Sequence, residues 1–255
     1  MVWLFIAIAF ASPDDDLTYI TGLDAHRALR DAKDAPKISA SQMRGVLQGE
    51  AFGGVKIVEE VAAGLGYGAM LFPVGVDTIW ATLTDEDTLD GELGLSVSAI
   101  VGGSRYRDGR LLFQTLDLPF PVQDRYWVTK ISHNEALFEA SRGAMWELSW
   151  TDAGVDVDLS TSAYQSEVKE ATKVAWTTGA WLLIPLDKDR TLVEYFAWSD
   201  PGGNVPRRLA SKLVGRQVRT TLKNVLKLAQ TRKKASVLSQ MVQPNGLPLQ
   251  TYGEF

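Results

Sequence analysis

The chain of 255 residues contains no cysteine. That absence removes disulfides, thiolate metal sites and a cysteine nucleophile together. Histidine is almost missing too. His26 and His133 stand alone and far apart, short of the ligand counts that metal sites need. No G-x-S-x-G and no H-E-x-x-H run occurs, so two common hydrolase patterns are excluded. No metal, cofactor or catalytic residue is expected. Long apolar runs are also scarce. The one that stands out, residues 2–11 (VWLFIAIAFA), falls well short of the roughly 20 residues that span a bilayer core. Ala9-Phe10-Ala11 fits a signal peptidase site, which predicts a signal over residues 1–11, cleavage before Ser12 and a periplasmic or secreted mature protein. No Lys or Arg precedes the run, and the competing reading is a greasy first element packed on the domain.

What is present is a globular composition. Apolar residues make up 45% and charged residues 22%, with eight Trp, nine Phe and seven Tyr. This is enough for one domain with a sizeable core, and aromatics in such numbers fill a core or line an apolar cavity. Pro13 and three aspartates precede a helical spacing of Leu17, Ile20, Leu23 and Leu29, predicting a helix over 17–32. Residues 38–200 read mostly as strands, among them 96–101, 111–116, 125–131, 144–150, 173–186 and 191–199. A short helix is expected over 76–83, and Arg107-Asp108-Gly109-Arg110 reads as a hairpin turn. A proline-led amphipathic helix is expected over 206–232, with Leu209, Leu213, Val218, Leu222, Leu226 and Ala229 as its apolar stripe. The tail, 233–255, reads as loose after Gln243. Strands grouped between terminal helices predict an α+β fold: a curved antiparallel sheet with a long C-terminal helix.

Three stretches carry a family resemblance. Leu118-Pro119-Phe120-Pro121-Val122-Gln123-Asp124-Arg125 is similar to a P-[FW]-P-x-x-[ND]-R segment. Gly179 to Pro185 followed by Thr191 to Tyr195 is similar to the last two strands of the same family. Asp200-Pro201-Gly202-Gly203-Asn204-Val205-Pro206 is similar to its D-P-x-G-x-[IV]-P junction into the final helix. In this order, ahead of a long amphipathic helix, they resemble the StAR-related lipid-transfer (START) domains over residues 17–232. The resemblance implies a helix-grip fold with an apolar tunnel under the last helix, and binding and transport of a lipid or sterol-like ligand rather than catalysis. Residues 151–172 depart from the family's usual short link and read as a gating loop or an insertion. The alternative is a helix-grip enzyme of the polyketide cyclase or aromatase type, for which Arg125, Glu147 and Glu194 are the titratable candidates.

The ligand would meet Leu118, Phe120 and Val122 in the loop by resemblance to a mobile segment at the tunnel mouth. Arg125, Trp127 and Thr129 share one strand face, and Arg125 either meets a headgroup or ties down its own loop. Trp146 joins the ligand-binding set from another strand. Of the alternating pairs on the strand before last, Trp176 with Thr178 is expected to face the ligand, and Trp181 with Leu183 to face away. Val205, Leu209 and Leu213 would complete the gate.

Charge is strongly segregated. Ten basic and no acidic residues fall between Pro201 and Ala235, in a chain of net charge −5. Arg208, Lys212, Arg216, Arg219, Lys223 and Lys227 recur at helical spacing opposite the apolar stripe. Such a face is expected to dock peripherally on anionic membrane; the competing reading is a solvated face balanced by acidic neighbours. The acidic remainder argues against nucleic acid, and a monomer is expected. Gly64-Leu65-Gly66-Tyr67-Gly68 lacks the lysine of a phosphate loop and reads as glycines that let a strand curve. Asp85, Glu86, Asp87, Asp90 and Glu92 fail the spacing of a calcium loop and read as a solvated turn.

Overall fold

The computed structural model describes residues 12–56, 65–89, 92–118, 122–154, 159, 163–200, 202, 207–232 and 240–249, with residues 207–216 described by backbone alone. The expected signal, residues 1–11, lies outside them. The first helix, α1, runs Pro13–Gly22, earlier than its apolar spacing suggests. The reason is local. Ser12 is its N-cap in a reciprocal capping box with Asp15, Pro13 sits in the first turn, and the three aspartates fill that turn rather than precede it. A 3-10 segment, Asp24–Leu29, and helix α2, Ala40–Leu47, follow; α2 was not expected, and is capped by a second box from Ser39 and Gln42.

The strands are β1 Phe52–Lys56, β2 Leu65–Phe72, β3 Leu95–Gly102, β4 Leu111–Leu116, β5 Arg125–His133, β6 Trp146–Asp152, β7 Thr172–Lys173, β8 Trp176–Pro185 and β9 Thr191–Asp200. The expected run 173–186 is thus broken, with Lys173 belonging to β7 and β8 beginning at Trp176. Between β2 and β3 lie α3, Val76–Thr84, as expected, and α4, Glu86–Leu89. Helix α5, Glu135–Ala140, joins β5 to β6, and α6, Gln165–Glu170, precedes β7. The last helix, α7, spans Arg207–Thr231. Among the described residues the sheet order is β1-β2-β9-β8-β6-β5-β4-β3, antiparallel along this path, with β7 pairing parallel to the start of β5. This is the expected α+β architecture: a curved sheet gripped by a C-terminal helix.

Both faces of the sheet are covered, so periodicity alone cannot tell inside from outside. On the outer face, α1, α2 and α5 pack Ile20, Met43, Val46 and Leu137 onto Ala69, Leu182, Ile184 and Leu192. Farther along that face, Leu159, Tyr164 and Val168 cover Phe113 and Val128. The described part of 151–172 is therefore a lid on the back of the sheet, away from α7. On the inner face, α3 and α7 bury Ile79, Trp80, Val218, Leu222 and Val225 against Phe72, Ile131, Trp146, Leu148, Trp181, Leu183 and Val193. The tail is not loose over 240–249: Met241 and Leu249 join this core, and the Trp80 indole donates to the Val242 carbonyl at 2.7 Å.

Candidate functional site

The inner face is built by alternation from neighbouring strands. Arg125, Trp127, Thr129, Ile131 and His133 share one side of β5, and the pairings of β5 with β4 and β6 carry that side to Leu112, Gln114, Leu148 and Trp150. Continuing across, Trp150 lies opposite Gly179, and Leu148, Trp181, Tyr195 and Gly68 form one row. Gly68 is the point of contact with α7. A Cβ there would lie 2.6 Å from Val218 Cγ1 and 2.3 Å from the Phe52 carbonyl oxygen, so only glycine lets the helix settle this close. Gly179 accommodates the Trp150 ring in the same way, with Cζ2 at 2.1 Å from an added Cβ.

One end of this face is solid. Trp80 sits edge-on to Trp146 (centroids 5.5 Å apart) and to His133 (4.9 Å), and Phe138 closes on Trp146 at 5.2 Å. Behind them is a buried polar floor. Arg110 binds Glu86 and also lies 3.0 Å from His133 Nε2. Arginine has only donors, so that nitrogen accepts and the ring is neutral. Burial, then Arg110 and Arg107, hold His133 down at a pKa of about 3. Asp85 takes Arg232 at 2.8 Å, and Thr88 takes the same guanidinium at 3.0 Å. The expected solvated turn is thus corrected: Asp85 and Glu86 are buried because arginines from β4's entry and α7's end reach them.

The other end is looser. Trp127, Trp150 and Tyr195 are half-buried. Trp127 Nε1 donates to Gln114 Oε1 at 3.0 Å, and Gln114 Nε2 donates to Ser98 Oγ at 3.2 Å, a neutral polar chain across three strands. Tyr195 lies against Trp181 (4.3 Å) and Trp150 (6.1 Å). Burial pushes its phenol up to about 12. Helix α7 rests on β1, β2 and α3 and reaches β9 at its edge. The aromatic stretch from Trp127 through Trp150 to Tyr195 therefore extends beyond the helix's main seat on the sheet.

Several expected site residues fall elsewhere. Trp176 and Thr178 occupy the outer face, with Trp176 edge-on to Trp198 at 4.9 Å and Thr178 Oγ1 donating to the Trp150 carbonyl; Trp181 and Leu183 are the pair that faces in. Trp146 faces in but is filler at the solid end, its Nε1 donating to the Gly143 carbonyl at 2.9 Å. Arg125 is buried and donates to the carbonyls of Gln123, Asp124 and Gly202, so it ties its loop to the approach of α7. Thr129 is buried on the inner face. Leu118 and Val122 are half-buried, and the Leu118 N–H is held by Asp124 Oδ1 at 2.7 Å. Phe120 and Val205 lie outside the described residues; Arg208, Leu209, Lys212, Leu213 and Arg216 are placed in α7 by backbone only. Arg219, Lys223 and Lys227 are exposed.

Glu147 and Glu194 point out of the back of the sheet. Arg30 binds Glu147 at 2.8 Å, and Arg27 binds Glu194 through two nitrogens at 2.9 and 2.6 Å. Burial opposes ionisation of Glu194, but Arg27 and Arg30 hold it below the ordinary carboxylate range. Tyr195 was missed by sequence reasoning. Its neighbour Glu194 held the signal, because a charged residue inside an apolar strand takes the face where a base can reach it and turns Val193 and Tyr195 the other way. A cavity of about 550 Å³ lies at the β3 edge, lined among others by Glu86, Asp87, Ser98, Ile100, Arg105 and Tyr164, and so shares Ser98 with the polar chain from Trp127.

Solved structures share this arrangement. A STAR-related lipid transfer protein from Xanthomonas axonopodis matches 70% of this chain and 93% of its own, at 19% identity and a TM-score of 0.58. Human STARD10 matches over 89% and 82%, at 12% identity and 0.58, and human StAR-related lipid transfer protein 5 over 86% and 98%, at 12% and 0.54. The fold is the helix grip of START domains. No protein-family model matches the sequence, and no curated protein matches it.

Proposed function

We propose that this chain binds a lipid or sterol-like molecule on the inner face of its helix grip and carries it between membranes. The observation that supports this most is the half-buried aromatic stretch Trp127–Trp150–Tyr195 lying past the main seat of α7. Apolar area removed from water there stabilises a ligand by about 25 cal/mol per Å². Binding without chemistry is the better reading, because two of the three titratable candidates, Glu147 and Glu194, are engaged on the opposite face, and Arg125 donates to backbone carbonyls. Mass spectrometry of an organic extract of the protein purified from its native host tests the binding, and transfer from donor to acceptor liposomes tests the carriage. One dominant apolar species and protein-dependent transfer are expected. A protein that extracts clean and moves no lipid would end this reading.

The exposed Arg219, Lys223 and Lys227 support peripheral docking on anionic membrane. At about 1 kcal/mol per basic residue, their joint replacement by Gln weakens co-sedimentation with phosphatidylglycerol vesicles by about a hundredfold. Equal sedimentation of parent and variant removes the docking step. Export completes the reading: N-terminal sequencing of the mature protein should begin at Ser12, and an intact Met1 would refute cleavage.

A further inference from the structure

The inner face of the grip carries polar atoms, and the way they are used says something about the ligand. Tyr195 stands in the row Leu148–Trp181–Tyr195–Gly68, beside the glycine on which α7 rests. Its ring is packed against Trp181 and Trp150. Among the described residues its hydroxyl has no hydrogen-bond partner. A half-buried phenol without a protein partner, set among aromatic rings, is free to donate to an acceptor that a ligand brings. Thr129 Oγ1, on the inner face of β5, is buried and has no hydrogen-bond partner.

Among the described side chains, the basic groups of this face are already engaged. Arg110 is bound by Glu86 and by a neutral His133. Arg232 is bound by Asp85. Arg125, at the opposite end of β5 from His133, donates to three backbone carbonyls. Asp152, which alternation on β6 also turns inward, is an acid and would repel an anion. An ionised carboxylate or phosphate placed beside Tyr195 would lie among Trp150, Trp181 and Leu148 with no counter-charge in that row, and burying a charge without a partner is strongly unfavourable. A neutral hydroxyl or carbonyl there accepts from the phenol at no such cost.

We propose that the ligand is uncharged at its deep end and enters with a hydroxyl or carbonyl group foremost, hydrogen-bonded by Tyr195, so that neutral single-headed lipids bind in preference to fatty acids and other anionic amphiphiles. This rests on the carrier reading above and narrows it to a ligand class and a specificity-determining residue.

The test uses the full chain and two fluorescent probes that differ only in their head: pyrenedecanol and pyrenedecanoic acid, titrated at about pH 8, where the acid is ionised. The alcohol should bind at least about tenfold more tightly. Tyr195→Phe should weaken the alcohol about three- to tenfold, the worth of one hydrogen bond, and leave the melting temperature of the ligand-free protein unchanged or higher, since no protein hydrogen bond is lost. That pairing separates an anchor from a structural tyrosine, whose loss would lower stability. Equal or tighter binding of the acid overturns the ligand class while the carrier reading stands. An unaffected alcohol affinity in the Phe variant overturns the role of Tyr195. Failure of both probes to bind overturns the proposal together with the reading beneath it.

Discussion

His133 is neutral in the folded chain because burial and two nearby arginines oppose its proton. In the unfolded chain the same imidazole titrates near 6.5. The unfolded state therefore takes up a proton that the folded state refuses, and stability falls as pH drops from about 6.5 toward about 3. Between neutrality and about pH 5 this amounts to about 2 kcal/mol. Urea unfolding at the two pH values should show that loss, and a His133→Gln variant should show less of it. Gly68 is a second residue whose role is geometric. An alanine there meets the Phe52 carbonyl and Val218 at once, so Gly68→Ala should cost about 1–3 kcal/mol in the same measurement. A variant as stable as the parent would mean that α7 does not sit where it is described.

At the scale of elements, the N-terminal segment is clamped to the back of the sheet by charge. Arg30 and Glu147 are both almost wholly buried, and Glu147 also takes the Asp31 N–H at 2.7 Å and the Asn134 amide at 2.8 Å. Removing the arginine strands a carboxylate, so Arg30→Ala should destabilise by about 3–5 kcal/mol and make residues 24–39 the first site of limited proteolysis. Some elements were plain in the sequence. β4 was read to its exact ends because Leu111–Leu116 is an apolar run set off by the Gly109 turn and Asp117, and α7 was legible from its stripe. Others were not: α2, α4, α5 and α6 are at most eight residues long, too short for a period to declare itself. The face of β8 was misjudged for a different reason. Leu182 and Ile184 face α1 and α2 and Ala180 meets Ala32, while Trp181 and Leu183 face the side covered by α3 and α7, so both sides are apolar and alternation has no sign. That Trp127 and Thr129 share a face was legible from the alternation of β5, but not that this face is the inner one.

For the molecule as a whole, ligand and fold are linked by mass action. A ligand present at a hundred times its Kd adds about 2.7 kcal/mol, or about 5–10 °C in melting temperature for a chain of this size. Delipidated protein should melt that much lower than protein re-loaded with its extract, and identical melting curves would argue against a bound lipid. The strand order has its own consequence. Apart from β1, β2 finds its other partner only in β9, where Phe72 meets Thr191, and β9 is the last strand among the described residues. During synthesis the first two strands must wait, with an open edge, until β9 has emerged. Closure of the sheet is then governed by long-range pairing, and a nascent chain of this topology depends on being shielded from its neighbours until that distant strand has been made.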